Sequence, residues 1–119
     1  MTDKMQSVHT LLNEEGTNSN NNSNPATNMS VSGLALAVLE VSGTEDTMKL
    51  EPQVSIDGED FTSIMCTNLA TGATVNAATG IADAGLYTVP VSGFKLFRVW
   101  LSSVGGNTEL TVKAVAFPK

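Results

Sequence analysis

The chain has 119 residues, 41% of them hydrophobic and only 5% aromatic, and a formal net charge of −6. That length fits one domain plus an extension, filled mainly by Val, Leu, Ile, Ala and Met. The acidic balance carries no basic stripe, which excludes nucleic-acid binding by phosphate neutralisation and attraction to an anionic membrane surface.

Residues 1–30 are predicted to be an extended N-terminal arm. Met5, Val8, His9 and Leu12 recur at i, i+3, i+4 and i+7, the spacing of one helical face, with Asp3 placed to cap it. Eight residues are too few for a stable free helix, so the pattern reads either as a chance match at a frayed terminus or as a docking peptide that folds on a partner. The polar run Asn18–Asn24 (NSNNNSN) follows as a tether with nothing to bury. Residues 13–30 could reach about 60 Å at about 3.3 Å per residue. The arm shares no core pattern with the body, so its removal is expected to leave the body folded.

Residues 31–119 read as a domain of short strands. Leu34–Val41 (LALAVLEV) is apolar in both phases up to Glu40, which predicts a strand covered on both faces, either deep in the domain or with one face against a second chain. A thin domain covers one face of such a strand itself, so Ala35, Ala37, Leu39 and Val41 are assigned to contact with a second copy or a partner, and Ala37→Glu is expected to dissociate that contact. Met48, Leu50, Val54 and Ile56 alternate with polar residues, a half-buried strand whose Pro52 falls on the inner phase and requires an edge or bulge. Asp57-Gly58-Glu59-Asp60 turns the chain into Phe61–Cys66. Residues 67–84 form a long loop with one weak edge strand near Thr74–Ala77. Leu86–Val91, Lys95–Ser103 and Glu109–Phe117 are firmer strands, divided by Ser92-Gly93 and Gly105-Gly106-Asn107. Seven short strands without helical periodicity predict an all-β fold, an antiparallel β-sandwich of jelly-roll or immunoglobulin-like type, with a partly closed barrel as the alternative.

Residues able to carry chemistry are few. Asp57, Glu59 and Asp60 have the oxygen ligands calcium needs but not the loop length or distant bidentate glutamate, so the cluster is a turn first. His9 has no second histidine, cysteine or spaced carboxylate near it, and no serine sits in a G-x-S-x-G elbow. No cofactor, metal or catalytic residue is therefore expected, and the chain is read as non-enzymatic. Cys66, the single cysteine, cannot form an internal disulfide and reads as a small buried hydrophobe. Arg98 and Trp100 share one strand phase and would form an interface pair if that phase faces outward; the other reading makes Trp100 core and leaves Arg98 to a rim carboxylate. Tyr87 with Asp83 is considered as a sugar-binding lip. The sequence shows neither a membrane-length apolar run nor an export signal, so synthesis and use in the cytoplasm, or exit by another route such as lysis, is expected.

The order of these segments resembles a small β-sandwich module of virion proteins in tailed bacteriophages. The resemblance covers residues 34–116 and rests on an apolar strand running into Leu39–Thr44 (LEVSGT), Ser55-Ile56-Asp57-Gly58 with Phe61 where the module usually has tryptophan, Gly85–Val89, Leu96–Leu101 and Thr111–Ala114. It implies a non-enzymatic structural protein of the virion, assembled in the host bacterial cytoplasm and released by lysis. A capsid-associated decoration or head-fibre-type protein is the leading expectation, bound to the major capsid protein through the N-terminal arm, as a homo-oligomer with a trimer favoured. The alternative is a tail or baseplate module that binds host-surface glycan through the loops Asp57–Phe61 and Thr67–Asp83. A cytoplasmic enzyme accessory domain is a third possibility.

Overall fold

A computed structural model describes residues 8–15, 28–44, 48–104 and 109–118. They form ten strands and no helix: β1 (His9–Glu15), β2 (Met29–Ser30), β3 (Leu36–Thr44), β4 (Met48–Ser55), β5 (Thr62–Ser63), β6 (Cys66–Asn68), β7 (Thr74–Val75), β8 (Gly85–Pro90), β9 (Leu96–Val104) and β10 (Glu109–Phe117). All pairings are antiparallel, in a six-stranded sheet ordered β1-β10-β3-β8-β6-β7 and a four-stranded sheet ordered β2-β9-β4-β5. The two sheets enclose one apolar core, which makes the chain an all-β sandwich.

Alternation explains which face each long strand buries. In β4 Met48, Leu50, Pro52 and Val54 are buried, and in β10 Leu110, Val112, Ala114 and Ala116 are. Opposite β4, Phe97, Val99 and Leu101 of β9 are fully enclosed. Pro52 is tolerated because its carbonyl accepts from Ile64 N–H at 3.0 Å on the side of the two-residue edge strand β5, where a missing donor costs least. The irregularity in the β4–β9 pair lies opposite Lys49 and Leu50, where β9 carries the extra residue Ser102, rather than at the proline.

The phase ends one residue early. Ile56, predicted inward, is 70% exposed, and Ser55 is buried in its stead. The Ser55 hydroxyl accepts the amides of Gly58 at 2.8 Å and Asp57 at 3.3 Å, while Asp57 Oδ1 accepts those of Glu59 at 2.8 Å and Asp60 at 3.0 Å. These amide contacts, with the Ser55 hydroxyl, hold the Asp57 carboxyl below its ordinary pKa. The acidic turn thus spends its central carboxylate on its own backbone. Gly58 closes it at φ +86°, and an added Cβ would meet only Leu96 Cδ1 at 3.5 Å, so backbone strain sets the cost of replacement. Gly58→Val should lower stability by about 1–3 kcal/mol, read as a shifted urea midpoint; an unchanged midpoint would contradict the left-handed turn.

Three expectations are corrected. Residues 9–15 are a strand, not part of a helix: β1 pairs with β10 from His9↔Ala114 to Glu15↔Leu110 and buries Leu11. The bare edge of β10 would leave a row of unpaired amides and carbonyls, whereas a helix this short makes few hydrogen bonds of its own. With β2 also pairing β9, the described parts of residues 1–30 belong to the sandwich, which does not begin at residue 31. Met5 and the tether at 18–24 lie outside the described residues.

In β3 the assignment of faces is reversed. Ala37, Leu39 and Val41 point into this chain's own core at 0–2% exposure, and Ala35 is half-buried. Their phase is therefore covered by the four-stranded sheet and offers nothing to a second copy. The opposite phase, with Leu36 and Glu40, is the exposed one.

Tyr87 is the third correction. It is 2% exposed and its hydroxyl donates to the Asp83 carbonyl at 2.7 Å, so it braces the start of β8 and forms no sugar-binding lip. The long loop is fixed to the sandwich by Ile81, wholly buried and bridged to Leu50 by two backbone hydrogen bonds of 2.8 and 3.0 Å. Cys66 is buried as predicted, and burial pushes its thiol up to about 11.

Candidate functional site

Two outward sheet faces carry the side chains that could recognise a partner. On the four-stranded sheet, the residues between the core positions of β9 are Arg98 and Trp100, both half-buried. The register puts Arg98 beside Gln53, Gln53 beside Ser63, and Trp100 beside Glu51. The β4–β5 hairpin returns Phe61 to this surface. The Arg98 guanidinium carbon lies 3.9 Å from the centroid of Phe61 and 4.8 Å from that of Trp100. This is a cation held against two π faces.

Its Nε donates to Gln53 Oε1 at 2.8 Å, Gln53 Nε2 donates to Ser63 Oγ at 3.2 Å, and Ser63 Oγ donates to Glu51 Oε1. Lys49 Nζ lies 3.9 Å from the other Glu51 oxygen. Desolvation lowers the Arg98 pKa from its ordinary value, yet an arginine stays charged at any working pH. The terminal guanidinium nitrogens make no hydrogen bond among the described residues. A partly desolvated, pre-oriented donor pair flanked by aromatic rings can take a carboxylate or a polar oxygen of a partner at low entropic cost.

The second face belongs to the six-stranded sheet. Val8 is 66%, Leu86 46%, Leu36 39% and Phe117 39% exposed. Val8, Val38, Leu86 and Val115 line a shallow depression of about 370 Å³ together with Glu40 and Lys113. A cluster of exposed apolar side chains makes this face a candidate interaction surface.

The predicted contact residues are thus divided. Arg98 and Trp100 stand together on one face and Val8 on the other, with His9 exposed beside β10. Leu12 pairs with Val112 in register, and Ala35, Ala37, Leu39 and Val41 belong to neither outer face. Phe61, which stands where the resembled module usually has tryptophan, packs on Arg98. Sequence reasoning missed Phe61 and Gln53 as neighbours of Arg98, and missed the larger sheet's outer face. The signal for Phe61 was its position just after a tight turn, which brings it back over the sheet. Among the described residues no group of three His, Cys, Asp or Glu could hold a metal ion, and no helix is long and apolar enough to cross a membrane.

No protein-family model matches the sequence, and no curated protein sequence matches it. Solved structures do match in fold. The SPBc2 prophage-derived protein YomS superposes with a TM-score of 0.76 at 14% identity, over 98% of this chain and 96% of that one. The PBSX exported protein XepA superposes with a TM-score of 0.73 at 19% identity over 98% of this chain, which spans 39% of XepA. At these identities the likeness is one of fold.

Proposed function

We propose that this chain is a non-enzymatic structural protein of a bacteriophage particle, of the capsid-associated decoration or head-fibre type. It would be made in the host cytoplasm and carried on the virion. The observation that carries the reading is the end-to-end likeness to a prophage-derived protein of nearly the same extent, since 98% of this chain matches 96% of YomS. The resemblance of residues 34–116 to a virion module points the same way. Attachment to the major capsid protein is assigned to the Arg98, Trp100 and Phe61 surface rather than to the arm, because the described arm residues are committed to the sandwich.

The test is immunoblotting of gradient-purified particles of the encoding phage, followed by co-sedimentation of purified protein with particles that lack it. The wild type should travel with the particles, and Arg98→Ala should weaken co-sedimentation about tenfold while still melting cooperatively as a folded protein. Absence of the chain from purified particles would overturn the reading.

A tail or baseplate glycan binder is the second reading. It is favoured by the placement of Phe61, which joins the Asp57–Phe61 loop to the Arg98 surface. Binding of the labelled protein to host cell-wall polysaccharide, without binding to capsids, would select it.

A further inference from the structure

We propose that the outer face of the six-stranded sheet is a self-association surface that joins two copies of this chain face to face about a two-fold axis. The face is built from the outward phases of β3, β8 and β10, extended at one edge by Val8. Its apolar part consists of Val8, Leu36, Val38, Leu86, Val115 and Phe117, side chains that a lone domain gains nothing by leaving in water.

The occupant is identified by charge. Glu40 and Lys113 are direct register partners on β3 and β10, both are exposed, and both line the depression on this face. Among the described residues they form no ion pair with each other, and neither has another side-chain partner. One positive and one negative group side by side in an apolar surround are their own complement under a two-fold rotation, which lays Glu40 of each copy against Lys113 of the other. Sheets packed in this way lie about 10 Å apart, a gap that the apolar side chains of both faces fill. An isologous contact of this kind gives dimers, whereas the virion-module resemblance favours trimers. It also leaves the Arg98 surface free on the outside of each copy.

Charge reversal tests this without reliance on a ligand. By light scattering at up to about 100 µM, a concentration that populates any dimer with a Kd on the order of micromolar, the wild type should show twice the 12.4 kDa chain mass. Glu40→Lys alone places lysine against lysine across the axis, and Lys113→Glu alone places glutamate against glutamate, so each variant should be monomeric. An equimolar mixture of the two should recover the dimer, because each mismatched group then meets its opposite. Non-specific attraction cannot explain that recovery, since the wild-type charge of −6 leaves both variants net negative. Pairing within a chain cannot explain it either, because mixing does not alter a chain's own residues. Far-UV circular dichroism checks that both variants are folded. A monomeric wild type, single reversals of unchanged mass, or a mixture of folded variants that stays monomeric would each overturn the proposal.

Discussion

Ala37→Glu should abolish cooperative folding rather than merely separate two copies. Ala37 is fully buried in β3, between its register partners Ala116 of β10 and Val89 of β8, which are 3% and 0% exposed. The described core holds no cation, and its only buried polar side chain is Ser55. A carboxylate there has no counter-charge and too little space. The effective penalty for burying an unpaired ion is several kcal/mol, and overpacking adds about 1–3 kcal/mol. Together these approach the whole stability of a small domain, about 5–15 kcal/mol.

Circular dichroism melts of Ala37→Glu and Val38→Glu make the comparison. Val38 is the next residue, half-buried on the outer face, so its variant should keep a cooperative transition while losing self-association. A cooperative Ala37→Glu protein within about 1 kcal/mol of wild type would mean that the two phases of β3 had been interchanged.

That interchange is the point at which the sequence is ambiguous. Period-two alternation identifies the inner faces of β4 and of the first half of β10, Glu109 to Lys113, because polar residues occupy every other position there. In Leu34–Val41 both phases are apolar, and size misleads: Leu36 and Val38 look like core beside Ala35 and Ala37. The buried phase contains alanines because this interior already holds Phe97, Tyr87 and Leu50, and close packing rewards total volume rather than large residues at each position. Arg98 and Trp100 were legible as a pair because they lie two apart on a clearly alternating strand. Phe61 and Gln53 join them only through the hairpin and the β4–β9 register, which no local pattern encodes. The same holds for Glu40 and Lys113, distant in sequence and adjacent only because β3 pairs with β10.

Deletion of residues 1–30 should likewise destabilise the sandwich strongly, contrary to what the polar tether suggests. The deletion removes β1 and β2, and with them Leu11 and Met29, which are 2% and 3% exposed in the core. Burial of each such side chain contributes about 1.5–3 kcal/mol, so their loss alone costs about 3–6 kcal/mol. At about 4–8 °C per kcal/mol for a domain of this size, the melting midpoint should fall by tens of degrees. The truncation also strips the strand that pairs with β10, leaving a long β edge with unpaired amides and carbonyls. The shortened protein should therefore aggregate as well as melt early. Removing residues 1–15 alone separates the contributions: β2 then still covers β9 at Met29↔Phe97, and the midpoint should fall by about half as much. Thermal melts of both truncations decide the matter, and a midpoint unchanged by either deletion would mean that the core closes without the arm, with β10 as a stable free edge.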